Sequence, residues 1–516
     1  MIARIYSMTL LGLAITVATP FYFVTTDSGL TFAPALAFDN RVTPTGFGIH
    51  IALVFVALLL PVSAIRAFAD RLWLRGPATW IALALVVWFT VVGVYGVYTS
   101  ERPTISFLLY GQAVLPLLLF IAVANTPIEE NWRLRVIFAL PIASAASIIL
   151  LGAAFLWQLS FNTPVRSWLF LQEAFFGVKN IQPAVSAVAL AVVLAGLSSV
   201  KAPISRRALW FLFAVHAASL LMIWSRTGLV LIGVMFAVWW VWTAAEAVTS
   251  SRMRSLAPTL LATGLVMALC GIANLTFAGV SLRPEQPQAG VRQEASVPPP
   301  KPQEQRSRPG NTTDSTQGAR STQPLPTAPR NTGGPSKTVA ETTESENLAG
   351  TDNRRWALLV DAMQRIRERP MVGYAFQPLN PGTTLFGVRV KSHKIYPSHN
   401  QYTGMAIRAG IPASILFVAL LITLTLALKK AHQRTFEGRL AIGASALIIG
   451  LIPALFFQVY FIVSQSATVI MLLFAILLTH APITSEILRP KRKSIHKIYS
   501  SELNSSTTSP DTPVNP

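Results

Sequence analysis

Apolar residues follow one another in long unbroken runs along most of this chain of 516 residues. We identify twelve runs of roughly 20 residues, the length that an α-helix needs to cross a hydrocarbon core about 30 Å thick. The runs are continuous rather than alternating, which excludes β-strands as the spanning elements. They cover residues 5–24, 46–64, 77–98, 105–124, 136–158, 183–200, 208–224, 229–247, 257–279, 407–428, 440–462 and 466–482.

Composition supports the same fold class. The chain is 52% hydrophobic and only 12% charged, whereas a soluble domain contains about 25% charged residues. We therefore predict an all-α polytopic membrane protein with about twelve transmembrane helices. The first run also resembles a cleaved signal peptide, but a retained helix agrees better with the alternation of the later connections.

Lys and Arg are unevenly distributed between alternate connections. If the N-terminus is cytoplasmic, the cytoplasmic segments contain 20 basic residues and the short outer loops contain five. This asymmetry follows the positive-inside rule and predicts that both termini are cytoplasmic. The net charge of +20 is thereby explained by topology, and we expect no nucleic-acid partner. The single cysteine, Cys270, falls in a predicted helix and allows no intramolecular disulfide.

One connection, on the predicted outer side, is far longer than the others. Its first part, 281–353, contains no Phe, Trp, Tyr or Ile and cannot bury enough apolar surface to fold, so we expect a disordered linker. Five regions result. They are 1–280 with helices one to nine, the linker 281–353, a loop segment 354–406, 407–482 with the last three helices, and a cytoplasmic tail 483–516.

The loop segment begins with "NRRWALLVDAMQRIRERP". Trp356, Leu359, Met363 and Ile366 recur at spacings of three and four, which predicts a short amphipathic helix ending at Pro370. Nine basic residues against two acidic ones lie between 354 and 408. Such a helix either lies on anionic lipid or lines a site for an anionic substrate.

Candidate chemistry is restricted to the outer helix ends, because the chain has no Gly-rich phosphate loop, metal-type Cys/His spacing or paired outer carboxylates. His399, followed by Asn400, begins a spanning helix, which holds a catalytic group more precisely than a loop holds His393. Arg226 lies in a tight outer turn, where it either snorkels to lipid phosphate or faces a partner. Lys179 and Asn180 precede another helix.

Four segments around these residues resemble motifs of the O-antigen ligase and O-antigen polymerase superfamily of bacterial envelope glycan enzymes. They are "VKNIQPAVSAVAL", "SRTG", "RRWALLVDAMQRIRERPMVGYAF" and "SHNQYTGMAIRAGIPASIL". The twelve-helix layout and the large outer loop before the last three helices are also similar. The chain departs from the family pattern in keeping only Gly373 after the proline and in having Pro412 near the second glycine of the last motif.

The resemblance implies transfer of a glycan from an undecaprenyl-diphosphate carrier to an acceptor hydroxyl at the periplasmic face of the bacterial inner membrane. It implies an inverting reaction without metal or cofactor, in which His399 acts on the acceptor and Arg226 on the diphosphate. The acceptor that the resemblance implies is a lipid A core, a growing glycan or a protein Ser or Thr. The candidate substrate-binding residues are Arg354, Arg355, Arg365, Lys179, Asn180, Asn400 and Arg408.

Two alternatives stay open. The first is a repeat-unit polymerase of the same superfamily, and the second, from another class, is a transporter or flippase of a lipid-linked glycan. A transporter would need ionisable residues within its helices, and only His216 and Glu246 lie away from the predicted loops.

Overall fold

The structure is a computed structural model in which thirteen α-helices and five short β-strands are formed by the described residues. Those residues are 1–19, 21–26, 29–34, 48–69, 74, 76–160, 181–199, 202–221, 226–249, 253–281, 351–381, 384–385, 388–389, 399–429, 435–458, 460–461 and 464–479. The helices are α1 Ile2–Val17, α2 Ile51–Ala69, α3 Pro77–Thr99, α4 Pro103–Asn125, α5 Glu130–Ser160, α6 Ile181–Ser198, α7 Arg206–Leu221, α8 Arg226–Thr249, α9 Met253–Ser281, α10 Thr351–Glu368, α11 Gln401–Lys429, α12 Phe436–Ala454 and α13 Ser464–Leu478.

Each of the twelve predicted apolar runs coincides with a helix, and α10 is the additional one. Among the described residues, eight helices are long and apolar enough to cross a membrane, and three further apolar stretches in α1, α9 and α13 are shorter. Proline lies inside α2, α4, α5 and α12, which neighbouring helices make tolerable in a membrane. The chain is therefore a helical protein of the polytopic membrane class.

Several predicted runs extend beyond their helix, among them 46–64, in which Gly48–His50 form a strand, and two run seven or eight residues too far. The first helix ends at Val17, and Phe21 already begins a strand, because Pro20 disfavours helix before it and "FYFVTT" is rich in aromatic and β-branched residues. The helix predicted to reach residue 462 ends at Ala454. There the N–H groups of Phe456 and Phe457 bond back to Pro453 and Ala454 in a tight turn.

The strands form two small antiparallel sheets. In the first, β1 (Phe21–Thr26) lies between β2 (Gly29–Pro34) and β3 (Gly48–His50). Phe21 is opposite Pro34, and Tyr22 is opposite His50. The second sheet pairs β4 (Thr384–Leu385) with β5 (Val388–Arg389) in the segment before α11.

Helix α6 lies at the centre of the bundle. Every residue from Ile181 to Ser198 is buried, and α5, α7, α8, α12 and α13 pack around it. Gly443 of α12 approaches the backbone of Ala191 so closely that a Cβ would contact its carbonyl oxygen. A helix that is apolar on all sides is expected in such a position.

Two ion pairs connect the first turn of α12 to the neighbouring helices α5 and α8. Arg133 of α5 pairs with Glu437, and Glu246 of α8 pairs with Arg439. Both arginines are almost fully buried. Because a buried charge is costly unless it is paired, these contacts hold one end of the bundle together.

The amphipathic helix is present as α10 and ends before Pro370, but its predicted apolar stripe is wrong in part. Met363 is 46% exposed, whereas Leu358, Ala362 and Ile366 are buried. The prediction considered only large apolar residues, and it therefore missed the small Ala362, which packs on α11. The side chain of Trp356 lies outside the described part of the chain.

Candidate functional site

Helix α11 is broken near its beginning. Ala409 (φ −138°, ψ 15°) and Gly410 (φ 83°, ψ 169°) have non-helical backbone angles. The break separates a short segment, Gln401–Arg408, from the longer spanning part that begins at Ile411. Backbone groups freed by such a break need partners, because no water is available in the hydrocarbon region.

Neighbouring elements supply those partners. A turn that follows α10, Pro370–Gln377, accepts from Ile411 N–H at its Pro370 carbonyl oxygen (2.8 Å) and donates Tyr374 N–H and Phe376 N–H to the carbonyl oxygens of Ile407 (2.6 Å) and Arg408 (3.1 Å). The indole N–H of Trp88, in α3, donates to the carbonyl oxygen of Ala409 (2.7 Å). The break is therefore a fixed feature of the fold.

Two glycines make this close packing possible. At Gly410 a Cβ would collide with the carbonyl oxygen of Met371, and at Gly96 it would collide with that of Ala375. The positive φ of Gly410 also lies in a region that other residues rarely adopt. Both positions bring the turn Pro370–Gln377 directly onto the backbone of a neighbouring helix.

The side chains of the turn bind it to α3 and α4. The buried ring of Phe376 contacts Phe89 and Tyr110 edge-on, with ring centroids 5.4 Å and 6.1 Å away. The Gln377 amide donates to Thr99 Oγ1 (2.6 Å) and to the carbonyl oxygen of Gly96 (3.3 Å). The turn thus connects α3, α4 and α11 at one end of the bundle, which we call the α10 end.

Arg365, a candidate for binding diphosphate, is occupied by protein contacts. Its guanidinium donates to both carboxylate oxygens of Asp361 (2.8 Å and 3.4 Å) and lies 5.8 Å from the centre of the Tyr374 ring. Burial alone would lower its pKa, but the bond and charge of Asp361 outweigh it and raise the pKa. The arrangement supports a structural role, in which Arg365 attaches α10 to the turn.

Tyr374 extends the same network. Its hydroxyl donates to Glu368 (2.6 Å), and the guanidinium of Arg369 lies 5.1 Å from the centre of its ring. Burial, followed by the bond to Glu368, raises the pKa of the phenol, so Tyr374 stays a hydrogen-bond donor at neutral pH. Beneath this network Ala362, Ile366 and Leu379 pack on Ala406 and Ile407.

Asn400 is the N-cap of α11. Its side-chain oxygen accepts from the N–H groups of Tyr402 (2.9 Å) and Thr403 (3.1 Å), two of the four donors that a helix leaves unpaired at its start. His399 precedes this cap and is exposed. The structure therefore shows why a His-Asn pair stands at this helix entrance: Asn400 fixes the first turn, and His399 is presented beside it.

Gln401, which sequence reasoning missed, connects α11 to the segment between α12 and α13. Its side chain is fully buried, its N–H donates to Leu455 (2.8 Å), and its side-chain oxygen accepts from Phe461 N–H (3.1 Å). Its Nε2 has no hydrogen-bond partner among the described residues. A polar amide at the first position of an apolar helix is the signal that could have revealed it.

Arg408 lies two turns further along the same face of α11. Gln401, Met405 and Arg408 are spaced at i, i+4 and i+7, which places them in one row on a helix. Gln401 and Met405 are buried, and Arg408 is half-buried. A charged side chain at this depth requires a partner or a polar cavity, and within the described ranges we find no acidic residue paired with it.

Helix α8, which begins at Arg226, starts at the same end. The pair Glu246–Arg439 and the close approach of Gly450 to Leu231 show that α8 and α12 are antiparallel. Arg226 and Leu455 each lie five residues, about 7.5 Å along a helix axis, beyond that second contact. Arg226 therefore begins α8 near the level of Leu455, which binds Gln401.

The side chains of the remaining candidate substrate-binding and catalytic residues lie outside the part of the chain that the structure describes. Lys179 and Asn180 precede the first described residue of α6, and the side chains of Arg226, Arg354 and Arg355 are not described. Within the described residues no group of three His, Cys, Asp or Glu side chains is arranged to hold a metal ion. No protein-family model matches the chain, and no curated protein matches it significantly.

Proposed function

We propose that the protein transfers a glycan from an undecaprenyl-diphosphate carrier to an acceptor hydroxyl at the membrane surface of the α10 end. The observation that supports this most strongly is Arg408, a half-buried cation on the face that also carries Gln401, about two helical turns from the N-cap that follows His399. Arg408 could bind an anionic group such as a diphosphate, and His399 could accept a proton from a hydroxyl group.

In the proposed reaction the acceptor oxygen attacks the anomeric carbon of the donor sugar. The bond from that carbon to the diphosphate oxygen breaks, and undecaprenyl diphosphate leaves with the electron pair. His399 accepts the proton of the acceptor hydroxyl, for which an imidazole is suited near neutral pH. Attack opposite the leaving group inverts the anomeric configuration.

Arginine side chains stabilise the departing group. A guanidinium remains protonated and presents paired donors to phosphate oxygens, so contacts that tighten as charge develops lower the barrier. We assign this role to Arg408 and Arg226, with Arg354, Arg355, Lys179 and Asn180 as further substrate contacts. Arg365 is a weaker candidate because Asp361 already accepts hydrogen bonds from its Nε and Nη2 groups.

The proposal includes the membrane context. The twelve helices that coincide with the apolar runs span a bacterial inner membrane, both termini are cytoplasmic, and the α10 end faces the periplasm. The acceptor is a lipid A core sugar in a ligase and a second carrier-linked glycan in a polymerase. Membrane lipids surround the bundle.

A transport function fits less well. Glu246 is paired with Arg439, and the buried His216 lies with its Nε2 3.2 Å from the carbonyl oxygen of Pro141. His216 and Glu246, the two residues that the sequence offered for transport, therefore both have structural contacts. No observation in the described part of the chain favours transport over transfer.

Arg408→Gln tests the proposal in purified protein reconstituted with carrier-linked repeat units, with and without lipid A core. We expect glycan transfer to fall by roughly 10²–10³-fold, since a transition-state donor is lost. Arg206→Gln, an exposed arginine at the other end of the bundle, is the matched control and should leave transfer unchanged.

The products distinguish the two enzyme classes. Core-linked glycan identifies a ligase, and longer carrier-linked chains without core identify a polymerase. Unchanged transfer by well-folded Arg408→Gln protein would show that Arg408 does not contact the leaving group.

A further inference from the structure

Helix α10 has a second apolar face, which points away from the bundle. Val360 is 53% exposed and Met363 is 46% exposed, and the exposed Arg367 follows them at the spacing of the same helical face. We call these three residues the outer face of α10. The opposite side, with Ala362 and Ile366, is the one that packs on α11.

Helix α11 exposes a longer apolar stripe of its own. Its members recur at spacings of four, three, four and four, so that they form a single face of the spanning part of the helix. Such a face is the one that a membrane helix turns to the hydrocarbon. The exposed residues are Ile411, Ile415, Val418, Ile422 and Leu426, at 41%, 62%, 37%, 53% and 58%.

Met371 connects the two apolar surfaces. It is 61% exposed, and its backbone lies against Gly410, directly before the α11 stripe begins. The preceding residue, Pro370, accepts the hydrogen bond of Ile411 N–H (2.8 Å). The exposed apolar surface therefore continues from the lipid-facing stripe of α11 through Met371 towards α10.

Charge also distinguishes the outer face of α10. Asp361 is engaged by Arg365, and Glu368 accepts from the Tyr374 hydroxyl, so these two acids are used on the inner side or edge of α10. Arg367 and Arg369 stay exposed. Apolar side chains with adjacent arginines are typical of helices that lie in the interface between acyl chains and phosphate groups.

We propose that the outer face of α10 lies in the interfacial region of the lipid bilayer. Val360, Met363 and Met371 contact the boundary of the acyl chains, and Arg367 contacts lipid phosphate. Since the inner face of α10 packs on the segment Gln401–Arg408, the bilayer surface would also support the helix entrance that presents His399.

Depth-dependent quenching tests this placement. Val360→Cys, Met363→Cys and the control Ala357→Cys are made in a Cys270→Ala background, labelled with an environment-sensitive fluorophore and reconstituted in phosphatidylcholine vesicles. Ala357 is exposed on α10 and lies at the edge of the outer face, about 60° around the helix from Val360 and about 120° from Met363. All three positions are exposed, so the labels replace no core contact.

The expected result is several-fold stronger quenching by a nitroxide on the lipid chains at position 363 than at position 357, with position 360 between them. Iodide in the water should quench in the reverse order. Equal lipid quenching at all three positions, or strong iodide quenching at position 363, would overturn the proposal. Neither readout depends on enzymatic activity, so the result is independent of the proposed glycan transfer.

Discussion

His399 and Asn400 are adjacent in sequence, but the structure gives them different environments. The Asn400 side chain is used twice by the first turn of α11, through the N–H groups of Tyr402 and Thr403. His399 lies just outside that turn and is exposed. The His-Asn pair predicted from the sequence therefore consists of two residues with different roles: Asn400 caps the helix, and His399 is the candidate catalytic residue.

Substitution of Asn400 separates the capping role from substrate binding. Asn400→Asp keeps an acceptor for the two N–H groups, whereas Asn400→Ala removes it and should cost about 0.5–2 kcal/mol of stability. We expect the thermal unfolding midpoint in detergent to fall for the alanine variant and to stay near the wild-type value for the aspartate variant. A similar fall in both variants would contradict the capping role.

Arg365 and Arg408, two candidate substrate contacts, also differ in their environments. Arg365 contacts Asp361 and Tyr374, whereas we find no acidic partner for Arg408 within the described ranges. The family resemblance placed Arg365, with Arg354 and Arg355, among the possible substrate contacts. The inner packing of α10, which decides its environment, depends on Tyr374 and cannot be derived from the charge pattern.

At the scale of elements, the broken helix α11 and the turn Pro370–Gln377 form one unit. The turn supplies two N–H donors and one carbonyl acceptor to the break, and Trp88 supplies another donor. Irregular backbone in a membrane helix persists only where protein groups satisfy it. This unit sets the position of the segment that carries Arg408.

Gly410→Ala should disrupt this unit. The positive φ alone costs roughly 1–3 kcal/mol for a residue with a Cβ, and the added atom would also collide with the Met371 carbonyl oxygen. We expect a marked loss of folded protein and a lower unfolding midpoint. The control is Gly111→Ala in α4, where a Cβ would meet nothing within 4 Å; equal behaviour of the two variants would refute the close approach.

Trp88→Phe probes the donor from α3. The substitution keeps an aromatic ring but leaves the Ala409 carbonyl oxygen without its indole partner, which should cost about 1–3 kcal/mol. Trp80→Phe is the matched control, since Trp80 is 57% exposed on the same helix. A drop in the unfolding midpoint for Trp88→Phe alone is the expected outcome, and equal midpoints would argue against this bond.

Much of the helical layout follows from the sequence because a run of about 20 apolar residues has few alternatives to a membrane helix. All twelve runs coincide with helices for that reason. The break at Ala409 and Gly410 does not follow from the local pattern, because Trp88 and Ala409 are 321 residues apart in sequence. The same limit applies to Gln401, whose partners Leu455 and Phe461 lie on a later segment.

At the scale of the whole molecule, the two ends of the bundle differ in character. One end is closed by the buried ion pairs Arg133–Glu437 and Glu246–Arg439. The other collects the first turns of α8 and α11, the N-cap Asn400, the turn after α10 and the half-buried Arg408. The first end holds three helices together, and the second has the cation and the exposed imidazole on which the proposed glycan transfer depends.

The most direct test of this account is a reaction of the purified, reconstituted protein with an undecaprenyl-diphosphate-linked glycan and an acceptor. Glycan transferred and undecaprenyl diphosphate released are measured together for the wild type and for His399→Ala. We predict equal amounts of the two products from the wild type and a loss of both by roughly 10²–10⁴-fold in the variant, as expected for removal of a general base. Transfer at the wild-type rate by His399→Ala, or no product from well-folded wild-type protein with any acceptor, would contradict it.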